Sequence, residues 1–91
     1  MAGPSIDKHV LVIGGAGYIG SVLAGRLLDK GYRVRVLDAL LYDNAAAVGE
    51  LLTRPGFSFV RGDFCDQSDL NRAMKEITDV VLLAALVGDP V

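Results

Sequence analysis

The segment Gly14-Gly15-Ala16-Gly17-Tyr18-Ile19-Gly20 holds two overlapping glycine patterns, Gly-x-Gly-x-x-Gly on Gly15, Gly17 and Gly20 and Gly-x-x-Gly-x-x-Gly on Gly14, Gly17 and Gly20. A glycine pattern is weak by itself, and its chemistry comes from its surroundings. This one directly follows the apolar run His9–Ile13 and opens a stretch of helical periodicity. In that setting backbone N–H groups and the helix dipole can receive a diphosphate. Gly14 then permits the tight turn, Gly17 lets the backbone approach the phosphates with no Cβ in the way, and Gly20 lets the helix pack close to the strand. The plainer reading is a tight strand-to-helix turn that uses glycine for geometry alone.

Asp38 ends the alternating run Arg33–Asp38 and follows Gly14 at near the roughly 20-residue interval between a glycine turn and a ribose-binding acid. A carboxylate there accepts hydrogen bonds from ribose hydroxyls and repels a 2′-phosphate, and Ala39, Leu40 and the glycine segment supply no cation to receive one. NAD is therefore favoured over NADP. Arg33 and Arg35 lie upstream in the same run as the cations that argue for NADP, and a merely solvated strand-end acid is the non-binding alternative. Asp63, after Gly62, either turns the chain into the next helix or reaches an adenine amino group. Ala84 and Ala85 are small enough to admit a cofactor against the backbone, or simply pack.

Other chemistries lack their residues. His9, the one histidine, opens an apolar run and reads as structural, with no Ser-His-Asp or metal-ligand cluster around it. Cys65, the one cysteine, cannot form an internal disulfide and reads as an ordinary packed or semi-exposed thiol. The net charge of −2, with scattered cations, leaves no footprint for nucleic acid. The longest apolar runs fall short of the roughly 20 residues of a membrane span. The residues Met1–Ser5 lack a secretory pattern, so a cytoplasmic location is expected.

The elements that must position these groups follow from periodicity. With 91 residues and 52% hydrophobic content, the chain is expected to be one small domain or a piece of a larger one. His9–Ile13 reads as a strand buried on both faces, Tyr18 to Lys30 as a helix stopped by Gly31, and Arg33–Asp38 as a second strand. Ala45 to Arg54 reads as a short helix with Val48, Leu51 and Leu52 on one side, stopped by Pro55-Gly56. Phe57–Arg61 is a third strand, and Asp66 or Ser68 caps a helix carrying Leu70, Ala73, Met74 and Ile77. Asp79 opens a fourth strand over Val80–Val87. This alternation predicts an α/β fold, a Rossmann-type doubly wound parallel sheet in partial form, with four strands and three helices. A strand as apolar as the fourth calls for neighbours on both sides, and only one is available, as in the front of a longer protein.

The glycine segment, Asp38, Gly62-Asp63 and Leu83-Ala84-Ala85 in this order resemble the N-terminal half of the extended short-chain dehydrogenase/reductases, in particular the NAD-dependent sugar-nucleotide epimerases and dehydratases. The likeness covers Val10 to Val87, and many members carry histidine where Leu82 stands. The resemblance implies that the glycine segment holds the NAD pyrophosphate, with Tyr18 and Ile19 lining the turn, and that Asp38 binds the adenosine ribose. It further implies that Asp63 and Phe64 flank the adenine, and that Leu83, Ala84 and Ala85 run past the cofactor. The family's Tyr-x-x-x-Lys pair is absent, since Tyr18, Tyr32 and Tyr42 are followed four positions on by Val22, Val36 and Ala46. Residues 1–91 are thus expected to be the NAD-binding portion, with no catalytic residue and no metal site. The parent would act on a nucleotide sugar, as a homodimer. A non-catalytic NAD(P)-sensing module is the alternative.

Overall fold

A computed structural model of the chain describes residues 8–14, 18–39 and 45–83. In chain order it contains β1 (His9–Ile13), α1 (Tyr18–Asp29), β2 (Arg33–Asp38), α2 (Ala45–Leu51), β3 (Phe57–Arg61), α3 (Gln67–Met74) and β4 (Asp79–Leu82). The strands form one sheet in the order β3-β2-β1-β4, every pair parallel. The chain steps outward from β1 through β2 to β3, then returns across the sheet to β4. This is the expected α/β, doubly wound arrangement in partial form.

The two faces of the sheet carry different cores. Val10, Val12, Val34 and Val36 point to the side covered by α1 and α2, where Ala24, Leu28 and Leu51 are buried against them. Leu11, Ile13 and Leu37 point the other way and meet α3 through Ala73. β1 is buried at all five positions, which explains why its sequence is a continuous apolar run instead of an alternating one. Each fully buried side chain among these, Leu11 and Leu37 included, contributes about 1.5–3 kcal/mol of burial free energy.

The helix ends follow local chemistry. Gly31 takes a φ of 93°, with its N–H donating to the Leu28 carbonyl at 2.9 Å and the Tyr32 N–H donating to the Leu27 carbonyl at 3.2 Å. That paired closure needs a left-handed residue, which glycine supplies without steric cost. Asp66, not Ser68, caps α3, and it accepts from the N–H groups of Ser68 and Asp69. α2 stops at Leu51, three residues short of the expected Arg54. The Arg54 N–H turns back to the Leu51 carbonyl, the Thr53 hydroxyl donates to the Glu50 carbonyl, and Gly56 has a φ of 87°. Leu52 therefore points to solvent, away from its expected place beside Val48 and Leu51. Ile77 packs in the core but has left the helix, because Lys75 is extended and Glu76 has a φ of 62°.

Among the described residues β4 runs over Asp79–Leu82; of the expected Val80–Val87, residues 84–87 lie outside the described residues. Among the described residues it pairs only with β1. Val80 and Leu82, 46% and 42% exposed, lie on the α3 side of the sheet, where α3 covers β2 and β3 and leaves them open. No helix among the described residues is long and apolar enough to cross a membrane.

His9 is buried, as expected, with its backbone N–H donating to the Thr78 hydroxyl and its carbonyl accepting from the Thr78 N–H. Among the described residues its Nδ1 has no hydrogen-bond partner. Burial, followed by the nearby Arg35 and Arg33 charges, pushes the imidazole pKa down. The unfolded chain therefore binds more protons below about pH 6.5, and stability present above that pH is lost as pH falls toward the folded value. Urea midpoints of the full-length protein are expected to drop as pH falls below about 6.5, and His9→Val is expected to flatten that slope. An unchanged slope in the variant rejects the assignment.

Candidate cofactor-binding site

The carboxyl ends of the four parallel strands share one edge of the sheet, and backbone hydrogen bonds continue past the strands there. The Gly62 N–H donates to the Asp38 carbonyl at 3.1 Å, the Gly14 N–H to the Leu37 carbonyl at 2.8 Å, and the Leu83 N–H to the Ile13 carbonyl at 3.0 Å. Gly62-Asp63, Asp38, Gly14 and Leu83 are thus held in a row along that edge, in the spatial order of the strands. The strand order reverses between β1 and β4, and open α/β sheets bind ligands at such a switch point.

Gly14 turns the chain off β1 with a φ of 83°, a conformation that a side chain resists. Residues 15–17 lie outside the described residues, Gly17 among them, and α1 starts at Tyr18. Its twelve residues include no acid in the first turn, so no carboxylate of its own offsets the positive end of the dipole. Gly20 is buried, while Ile19 is 71% exposed beside the turn. Asp38 is the last residue of β2 and partly buried. Ala84 and Ala85 lie outside the described residues, and Leu83 is the last one described before them.

Asp63 organises its own corner. Its carboxylate accepts from the Cys65 N–H at 2.9 Å and its carbonyl from the Asp66 N–H at 2.9 Å. This is the turn role weighed from the sequence, and it leaves Asp63, Phe64 and Cys65 exposed at the binding edge.

Asp69, unremarked in the sequence, and Arg35, weighed there only as a cation for NADP, hold this edge in place. Asp69, three positions after the cap, accepts from the Asp63 N–H at 2.9 Å and from the Arg72 guanidinium at 2.7 Å. Those two bonds, the first the stronger influence, hold its carboxyl below the usual range. The acid three residues after a helix cap was a legible signal, although here it reaches past the cap to Asp63. Arg35 donates to the carbonyls of Ala73 and Lys75 at 2.8 and 2.9 Å, fastening the C-terminal end of α3 to β2.

These contacts also settle where the cations considered for NADP lie. Arg35 is committed to α3, and Arg33 stands in register with His9 at the amino end of the sheet, five residues or about 16 Å from Asp38. The cation in register with Asp38 is Arg61, from β3. Register across strands is invisible in a linear reading.

The model of the NAD dependent epimerase/dehydratase family matches residues 10–91. The chain belongs to that family. It is 47% identical over 72 residues to UDP-arabinose 4-epimerase 1 of Arabidopsis thaliana, covering 75% of this chain and 17% of that protein. A crystal structure of UDP-glucose 4-epimerase superposes with a TM-score of 0.66 at 30% identity, covering 92% of this chain and 24% of that one. AtPrR2, solved with NADP+ and (+)pinoresinol, superposes with a TM-score of 0.65 at 32% identity over 82% of this chain and 25% of its own. The chain thus spans about a fifth of the length of the epimerases it resembles.

Within this family member, Gly14→Ala places a Cβ on a left-handed residue, at a cost of about 1–2 kcal/mol. A lowered denaturation midpoint of the full-length protein is the expected result, and an unchanged one rejects the positive-φ requirement.

Proposed function

We propose that residues 1–91 are the NAD-binding portion of a sugar-nucleotide epimerase or dehydratase, in which a sugar hydroxyl is transiently oxidised. The observation that carries this reading is the row of strand ends. A positive-φ glycine turn before an acid-free helix N-terminus suits a diphosphate, and an acid at the end of the neighbouring strand suits ribose hydroxyls. The chemistry of the donor set therefore fits NAD. In this proposal Gly14, Gly17 and Gly20 shape the diphosphate site and Tyr18 and Ile19 line it. Asp38 holds the adenosine ribose, Asp63 and Phe64 flank the adenine, and Leu83, Ala84 and Ala85 run toward the nicotinamide.

Bound NAD supplies an acceptor, and later a donor, of hydride for the sugar carbon. This chain's part is to bind and orient. Its own residues contain no Tyr-x-x-x-Lys pair, so proton transfer to and from the sugar hydroxyl is assigned to the remainder of the parent. The UDP-sugar epimerases among its relatives support a nucleotide sugar as substrate. The homodimer expected from the resemblance, and the cytoplasmic location expected from the N-terminal residues, belong to the same proposal.

Titration of the full-length protein with NAD and NADP tests it. NAD is expected to bind more tightly. Asp38→Ala is expected to weaken NAD about ten- to hundredfold, as loss of hydrogen bonds to a charged group worth about 1.5–3 kcal/mol implies. Tighter binding of NADP, or an Asp38→Ala protein that holds NAD unchanged, overturns the cofactor assignment. Binding of NAD without turnover of any UDP-sugar favours the sensing module.

A further inference from the structure

The Gly62-Asp63 corner is gripped from two sides. From the sheet, the Gly62 N–H bonds to the Asp38 carbonyl. From α3, the Asp69 carboxylate bonds to the Asp63 N–H through Oδ2. The same carboxylate also occupies the space that a side chain at residue 62 would need. A Cβ on Gly62 would lie 2.7 Å from Asp69 Oδ2, 2.8 Å from its Cγ and 3.0 Å from its Cβ, and its three nearest neighbours are all atoms of Asp69. Gly62 is absent from the glycines of positive φ. Glycine is required here by the seat of the carboxylate, not by backbone conformation.

α3 itself brings little apolar anchorage. Ala73 is its only buried residue, with Leu70 partly buried against the same cluster, so polar fastenings add to a small apolar contact, Arg35 at one end and Asp69 at the other. Arg72 donates to the second oxygen of Asp69 and orients the carboxylate. The hydrogen bonds thus run from the end of β2 through Gly62 and Asp63 into the first turn of α3, and they pass between the two acids proposed to bind the adenosine end of NAD.

We infer that Asp69 is a positioning residue for the adenosine half of the dinucleotide: seated on Gly62 and bonded to the Asp63 N–H, it sets the separation between Asp38 and the Asp63-Phe64 corner. The inference rests on the proposed NAD site. It assigns no contact between Asp69 and the ligand.

The test uses the full-length protein and three probes: NAD, ADP for the adenosine half and nicotinamide mononucleotide for the other half. Asp69→Ala is expected to weaken NAD and ADP about tenfold, the equivalent of one lost hydrogen bond, with nicotinamide mononucleotide changed less than about twofold. Asp69→Asn keeps an oxygen that can accept from the Asp63 N–H, and it is expected to restore NAD to within about threefold of the unsubstituted protein. Gly62→Ala is expected to weaken NAD and ADP as well. The Gly62→Ala/Asp69→Ala protein is expected to lose less than the two single losses combined, because the new methyl group takes the vacated space. Equal weakening of all three probes marks general destabilisation and overturns the inference, as do additive losses or a failed rescue by Asn. NAD binding that is intact in Asp69→Ala overturns the inference alone, and no NAD binding by the unsubstituted protein overturns the site as well.

Discussion

Parallel pairing in the order β3-β2-β1-β4 is the constraint from which the rest of this structure follows. It delivers four chain segments, distant in sequence, to one edge of the sheet. Hydrogen bonds of 2.8 to 3.1 Å continue beyond the strands and fix the departing loops relative to one another. A turn glycine, a strand-end acid and the Gly62-Asp63 corner become one surface only because of that register. Their backbone donors and acceptors pair with each other across neighbouring strands, which leaves few ways for the edge to shift.

The sheet makes this possible because both of its faces must be covered, and the two covers differ. The α1/α2 side is built from valines and leucines that interdigitate with the helices. The α3 side is thinner, with one buried alanine from the helix and a guanidinium in the role that apolar packing plays elsewhere. Apolar packing is nondirectional, whereas the Arg35 and Asp69 bonds specify an angle and a distance. The Gly62-Asp63 corner at the carboxyl edge of the sheet is thus located by directional bonds on the side where hydrophobic burial is weaker. Where α3 does not reach, Val80 and Leu82 remain open on β4.

Charge is sorted along the strands as well. Arg33, His9, Lys8 and Asp79 gather at or near the amino ends, while Asp38 and Arg61 meet at the carboxyl ends. The strand rise of about 3.3 Å per residue converts a few positions of sequence into a separation longer than a Debye length at physiological salt. Of the arginines nearest to Asp38 in sequence, Arg33 lies at the amino end and Arg35 is bonded to α3, so the cross-strand neighbour of Asp38 is Arg61.

Much of this was legible in the chain itself. Continuous apolar runs, period-two alternation and period-3.6 patterning marked the strands and helices, and Gly31 marked the end of α1, because these signals act between residues close in sequence. The premature end of α2, the departure of Ile77 from α3 and the outward turn of Leu52 were not legible, since each depends on which competing local bond the packed chain satisfies. The parts played by Arg35 and Arg61 were hidden for a stricter reason. Each acts on a partner in another element, and a linear sequence carries no statement of which residues the fold will set side by side. Local periodicity determined the elements; only the folded sheet decided which charges stand at its carboxyl edge and which hold the scaffold together, because that choice is made between residues far apart in sequence.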